Sequence, residues 1–241
     1  RDKTKGLSFK QTDDPHLEAE VSRAWSGRVQ RVALSDDPLE PGTPAPDWVA
    51  QLQGQSLELA SQGLTLSNPL EGRHNARNFL LALAAAQELG VTAEQLRDLS
   101  VSLPGGRARR LSVNGVSLLD ETYNASPEAM LASLELLKQQ PGGCRYAVVG
   151  TMLELGDQSL NLHRQVGEKA AALGLDGLVV VAADPEASAV MEGAAGLSKL
   201  VCVATPEEAA EPLKQWLSPG DHVLLKASRG IALERLIPLL G

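Results

Sequence analysis

From residue 107 onward, runs of apolar, β-type residues alternate five times with amphipathic stretches, and few folds accept such an order. The runs cover residues 113–120, 146–150, 178–182, 200–204 and 222–226. Helical patterns occupy 127–139, 160–173, 185–193, 206–216 and 231–239. A strand that is apolar along its whole length must be covered on both faces, and helices between successive strands supply that cover. The spacing predicts an α/β fold whose C-terminal part is a doubly wound, Rossmann-like parallel sheet.

The chain ahead of this repeat reads differently. Residues 1–70 are polar and turn-rich, with apolar runs only at 28–34 and 56–66, separated by Pro38, Pro41, Pro44 and Pro46. The second run alternates through Leu57, Leu59, Leu64 and Leu66 around Gly63, the pattern of a hairpin. Residues 75–90 carry Ala76, Phe79, Leu80, Leu83, Ala84 and Gln87 at helical spacing, with Gly90 as a stop. A second helix is expected over 92–99, where Thr92 and Gln95 have capping-box spacing. Leu103-Pro104-Gly105-Gly106 then breaks the pattern and marks a boundary. The first segment looks like the edge of a larger domain.

Composition narrows the function classes. With 43% hydrophobic and 22% charged residues, the chain is not globally disordered. Thirty acidic against 22 basic residues give a net charge of −8, which argues against a nucleic-acid partner. Seven aromatic residues offer no stacking platform for single strands. Cys144 and Cys202 are too few for a disulfide framework and fit a reducing, cytoplasmic setting. The four histidines and two cysteines lack metal-ligand spacing. No apolar run approaches the roughly 18 residues of a membrane span and no signal peptide opens the chain, so no membrane partner is expected. The start Arg1-Asp2-Lys3-Thr4, without Met, suggests a piece of a longer protein.

In an open parallel sheet, ligands bind beyond the carboxyl ends of the strands. Asp120 ends the first run, and a carboxylate there can accept ribose hydroxyls; Ser126 and Pro127 read as an N-cap and first-turn pair. Gly150 and Gly156 bracket a loop after the second run, and His163 on the next helix reads as a packing or capping residue. Lys226-Ala227-Ser228-Arg229 follows the last run, where cations suit a phosphate or carboxylate, or else a surface salt bridge. No P-loop, dinucleotide fingerprint or nucleophile elbow is present.

Taken together, Gly72-Arg73-His74-Asn75-Ala76-Arg77-Asn78, Pro104-Gly105-Gly106-Arg107, Asp120-Glu121-Thr122-Tyr123-Asn124-Ala125-Ser126-Pro127, Glu154-Leu155-Gly156 with His163, and Lys226-Ala227-Ser228-Arg229 resemble the ATP-dependent Mur ligases of peptidoglycan synthesis. Within that family the chain is similar to the branch that adds D-Ala-D-Ala to UDP-MurNAc-tripeptide. The resemblance runs over residues 70–241. Its most specific part is the D-D-S-Y-N-A-N-P motif, from which Glu121, Thr122 and Ser126 depart; Ala227 departs from K-G-S-R. Upstream, only Thr12-Asp13-Asp14-Pro15 is similar to a central-domain turn. The diaminopimelate- or lysine-adding branch would show D-x-A-H-T-P and K-G-H-E, and neither occurs; folylpolyglutamate synthetase is further off.

The resemblance implies that residues 1–103 are the C-terminal part of the central ATP-binding domain and 104–241 the C-terminal Rossmann-like domain. It implies ATP and Mg²⁺ as cofactors, UDP-MurNAc-tripeptide and D-Ala-D-Ala as substrates, and a monomer. His74, Asn75 and Asn78 would meet adenine, with Asn75 alternatively capping its helix. Arg107 would meet ATP phosphate or ribose, and Asp120 the ribose. Tyr123, Asn124 and Ser126 would shape the nucleotide or amino-substrate side. Lys226, Ser228 and Arg229 would face the dipeptide. The catalytic P-loop lysine, the Mg²⁺ ligands and a carbamylated lysine would all lie upstream of Arg1, so the chain alone is expected not to turn over. The alternative is a stand-alone nucleotide- or peptide-binding α/β module.

Overall fold

A computed structural model describes residues 7–11, 15–39, 41–102 and 105–241. Thr12-Asp13-Asp14 and Pro104, which carry part of the resemblance, lie outside the described residues. The chain divides into two compact units, Arg1–Ser102 and Leu103–Gly241.

The polar character of the first seventy residues hides two strands and a helix. In the first unit β1 (Leu7–Gln11) is followed by α1 (Pro15–Ala24), β2 (Arg28–Leu34) and β3 (Trp48–Gln53). These three strands are parallel, and β4 (Ser56–Leu59) and β5 (Leu64–Ser67) extend the sheet antiparallel in the order β1-β2-β3-β4-β5. β4 and β5 form the expected hairpin: Leu57 pairs with Leu66, Leu59 with Leu64, and all four are buried. Gly63 takes the left-handed conformation that closes it.

α2 (Arg73–Glu88) covers this sheet with Ala76, Phe79, Leu80, Leu83 and Ala84, while Gln87 is exposed and drops out of the expected stripe. The element expected over 92–99 is only a 3₁₀ turn, Ala93–Leu96, although its Thr92–Gln95 capping box is formed. The first turns of α2 are tied to the end of β2. Arg73 binds Asp36 through two hydrogen bonds of 2.7 and 2.9 Å and reaches Asp37 at 2.9 Å, and Arg77 also pairs with Asp37. Asp37 is buried, and its carboxylate accepts the Leu34 amide at 2.8 Å as well.

The second unit holds β6 (Arg109–Val113), β7 (Val116–Glu121), α3 (Pro127–Lys138), β8 (Arg145–Gly150), α4 (Ser159–Ala172), β9 (Gly177–Val181), α5 (Glu186–Gly193), β10 (Leu200–Val203), α6 (Ala210–Trp216) and β11 (His222–Lys226). The strand order is β10-β9-β8-β11-β7-β6. Five strands are parallel, and β6 adds an antiparallel edge. Two sequence expectations are corrected here. The run at 113–120 is not one strand but straddles the β6–β7 hairpin, whose turn residues Asn114 and Gly115 both have positive φ, as a two-residue hairpin loop requires. The final helix expected over 231–239 is a pair of 3₁₀ segments, Arg229–Ile231 and Leu233–Leu239, with Pro238 inside the second.

Alternation along the strands sends Leu119, Val149, Val180 and Leu224 to a core with α3, α4 and α5. Leu118, Val148, Val179 and Leu225 face the other core, with α6 and the C-terminal 3₁₀ segment. Right-handed crossovers explain the division. From β7 to β10 the chain steps one way across the sheet and keeps its helices on one face; from β10 it steps back to β11 and uses the other. β11 is therefore the switch point, where connections leave neighbouring strands toward opposite faces and open a crevice.

Candidate functional site

The switch point is bounded by the carboxyl ends of β7, β11 and β8. At the end of β7, Asp120 is buried, and its Oδ1 accepts the Thr122 amide at 3.2 Å and the Thr122 hydroxyl at 2.7 Å. One of its two oxygens thus closes its own turn. That turn presents Tyr123, whose amide donates to the Gly106 carbonyl at 2.8 Å. Gly106 has φ +79, and a Cβ on it would stand 2.8 Å from both the Thr122 hydroxyl oxygen and the Tyr123 nitrogen. Only glycine allows this approach, and it lays the next residue onto the ring: the Arg107 Cζ is 3.8 Å from the Tyr123 centroid. Arg229, beyond β11, reaches the same ring at 5.6 Å and lies 3.4 Å from Glu234.

At the same strand ends Lys226 and Glu121 form a pair that differs from a surface salt bridge, the lysine buried and the glutamate partly so. Lys226 is 3% exposed; its Nζ donates to the Asn124 carbonyl at 3.1 Å and lies 3.7 Å from Glu121. Burial pushes the Lys226 ammonium down, with the Glu121 charge opposing. Burial likewise pushes the Glu121 carboxyl up, against Lys226 and a hydrogen bond from the Ala108 backbone. Both members lean toward their neutral forms because desolvation outweighs an attraction across so long a gap.

At the end of β8, Gly150 has its missing side chain's space filled by Ala227, so its close neighbour is β11. The loop that follows is clamped from two sides. The Ser228 amide donates to the Thr151 carbonyl at 3.2 Å, and the Ser228 hydroxyl accepts the Leu153 amide at 2.9 Å. His163, 1% exposed, accepts the Met152 amide on Nε2 at 2.9 Å. Its Nδ1–H donates to the Ser159 carbonyl one helical turn back, at 2.7 Å, which fixes the tautomer. The histidine is a structural tie between α4 and this loop, as its expected packing role requires. Glu154, next in the loop, is exposed with φ +66.

Arg107, Asp120, Tyr123, Lys226, Ser228 and Arg229 are thus gathered at adjacent strand ends. Asn124 contributes its backbone carbonyl, and Ser126 caps α3 by accepting the Ala129 amide at 3.3 Å. His74, Asn75 and Asn78 form a separate group in the first unit, on the first turns of α2. Asn75 does not cap α2: Gly72 holds that position, and the Asn75 amide donates to the Glu71 carbonyl at 2.7 Å. Asn78 accepts from Gln11 at 3.0 Å. Sequence reasoning missed Glu121 as the partner of Lys226, and missed that Gly106 seats Arg107. The signal for the second was present in Gly105-Gly106, which reads only as a break. Among the described residues, no group of three His, Cys, Asp or Glu could hold a metal ion, and no helix is long and apolar enough to cross a membrane.

Residues 106–229 match the family described as Mur ligase, glutamate ligase domain, a span that begins at Gly106, ends at Arg229 and contains every strand-end residue above. The chain belongs to the Mur ligase family. Among Mur ligases it is 42% identical over 230 residues to the UDP-N-acetylmuramoyl-tripeptide–D-alanyl-D-alanine ligase of Synechocystis sp., covering 95% of this chain and 48% of that protein. The ligase of the same name from Mycobacterium leprae is 33% identical, over 98% of this chain and 52% of its own length. Among solved Mur ligase structures, the MurF ligase of Thermotoga maritima in complex with ADP superposes with a TM-score of 0.74 at 29% identity, covering 99% of this chain and 53% of that one. MurF from Acinetobacter baumannii gives 0.78 at 28% identity, over 98% and 51%. The expected mixed α/β fold is the fold of these Mur ligases. The chain spans about half the length of the relatives it matches.

Proposed function

We propose that this chain forms the C-terminal half of an ATP-dependent ligase that joins D-Ala-D-Ala to UDP-MurNAc-tripeptide in peptidoglycan precursor synthesis. On this reading residues 1–103 are the tail of the ATP-binding domain and 104–241 the C-terminal domain. ATP converts the tripeptide carboxylate to an acyl phosphate, and the dipeptide amine displaces phosphate to form the amide. Both reactants are polyanions or zwitterions, so the chain's task is to hold charge and align the two groups.

The observation that carries this reading is Arg107 on Tyr123 at the switch point. Among the described residues Arg107 makes no ion pair, so its charge is available to phosphoryl oxygens, and the site fits a nucleotide phosphate in that respect. His74, Asn75 and Asn78 are assigned to adenine, and Asp120 to ribose through the oxygen its turn leaves free. Tyr123, Asn124 and Ser126 border the amino-substrate side. Of the group assigned to the dipeptide, Arg229 is the exposed cation, while Lys226 and Ser228 act from beneath by holding the strand-end loops. The Mg²⁺ that accompanies ATP is assigned to residues outside this chain. The enzyme works as a cytoplasmic monomer on soluble precursors.

The test joins this chain to the N-terminal half of the Synechocystis relative and follows phosphate release. Release that requires both UDP-MurNAc-tripeptide and D-Ala-D-Ala is expected, with none from the 241-residue chain alone. A well-folded chimaera that releases no phosphate with these substrates would overturn the reading in favour of a binding module.

A further inference from the structure

Arg107 and Arg229 come from opposite ends of the second unit's sequence, yet both guanidiniums lie on one phenol ring, with Cζ at 3.8 and 5.6 Å from its centroid. Two exposed cations gain nothing by approaching each other in water. Each must be held there by something other than its neighbour. Arg107 is held by the close approach of Gly106 to the Thr122–Tyr123 turn. Arg229 sits at the first residue of the 3₁₀ segment after β11, with Glu234 at 3.4 Å. What the two share is Tyr123, whose ring face attracts a guanidinium without neutralising it.

The cations here differ in their partners. Lys226 is matched by Glu121 and Arg229 by Glu234, but Arg107 has no carboxylate partner among the described residues. The Asp120 carboxylate is turned onto Thr122, which leaves Arg107 as the exposed cation without an ion pair on a ring that the Arg229 guanidinium also reaches. Paired forked donors of this kind fit the oxygens of a single phosphoryl or carboxylate group. The family resemblance divides these arginines, giving one to the nucleotide and the other to the dipeptide; the shared ring argues against that division.

We infer that Arg107 and Arg229 serve one oxyanion, and that Tyr123 is the positioning residue that keeps both guanidiniums aimed at it. The inference rests on the ligase reading for the identity of the oxyanion, which is either a nucleotide phosphoryl group or the dipeptide carboxylate. Tyr123 acts through its ring face, so phenylalanine replaces it and leucine does not.

The experiment titrates the 241-residue chain with pyrophosphate and, separately, with D-Ala-D-Ala at low ionic strength, for the wild type, R107A, R229A, the double variant, Y123F and Y123L. Both single arginine variants are expected to weaken the same probe, each roughly tenfold, and that probe names the source of the oxyanion. Y123L weakens it to a similar degree, Y123F stays within about twofold, and adding Y123L to the double variant changes nothing further. The inference is overturned if R107A affects only pyrophosphate and R229A only the dipeptide, if Y123L binds like wild type, or if neither probe binds. A chimaera that ligates while the arginines sort to separate probes sinks this inference and leaves the ligase reading standing. A silent chimaera with both arginines on one probe does the reverse.

Discussion

A Cβ built on Gly150 stands 2.6 Å from the Cβ of Ala227, so the ends of β8 and β11 are in contact where the family pattern has glycine on the β11 side. Substituting Gly150→Ala is expected to destabilise the second unit by about 1–3 kcal/mol through overpacking. Ala227→Gly in the same chain should return part of that loss. Denaturant unfolding of the three variants tests this, and equal stability of G150A and wild type would show that the two strand ends are not so close.

His163 carries one end of the loop clamp and Ser228 the other. Replacing His163 by Ala leaves the buried Met152 amide without its acceptor, at a cost of about 1–3 kcal/mol. Hydrogen exchange should then quicken at Met152 in H163A, and at Leu153 in S228A. Protection unchanged at both amides would mean that the loop is held by other contacts.

Breaking the Lys226–Glu121 pair should be worse than removing it. Lys226→Met strands a partly buried carboxyl, and a loss of roughly 3 kcal/mol is expected. The double change Lys226→Met with Glu121→Leu should be milder than the single one, because both members already lean toward neutrality. Thermal unfolding of the single and double variants measures the difference, and a double variant worse than K226M alone would contradict it.

Asp37 ties the pH dependence of the first unit to α2. Burial pushes its carboxyl upward, but hydrogen bonds from Arg77, the Leu34 amide and Arg73, with the Arg77 charge, prevail and hold it below the ordinary carboxylate range. A depressed acid stabilises the fold above its unfolded value of about 4, and that contribution disappears as pH falls through the lower folded value. Acid unfolding followed by circular dichroism should therefore show D37N losing the wild type's dependence in that window. Parallel acid curves for the two proteins would remove Asp37 from the account.

The sheet and its helices were legible because their signal is periodic: β8, β9, β11, α3 and α4 lie within a residue or so of the expected runs. What escaped was local geometry. The β6–β7 turn was hidden inside an apolar run, although Asn114-Gly115 carries the strongest short hairpin signal a sequence offers. The C-terminal segment has helical spacing but contains Pro238, which removes an amide and leaves 3₁₀ turns. At the site, the motifs located the strand ends but not their depth. Asp120 and Lys226 read as ligand-facing groups, but both are buried, Asp120 bonded to Thr122 and Lys226 set against Glu121. Nor does any sequence period bring Arg107 and Arg229 to one ring; that follows from which strand lies beside which.

The last of the described strands is also one of the two at the centre of its sheet. β11 sits between β8 and β7, both of which precede it by many residues, so neither can bond to its eventual neighbour until residues 222–226 exist. During synthesis the domain would wait as two halves of a sheet with an open seam, and closing that seam is a long-range event of the kind that slows folding. The switch point would be the final part to form, and damage confined to β11 would split the domain at its centre rather than fray its edge.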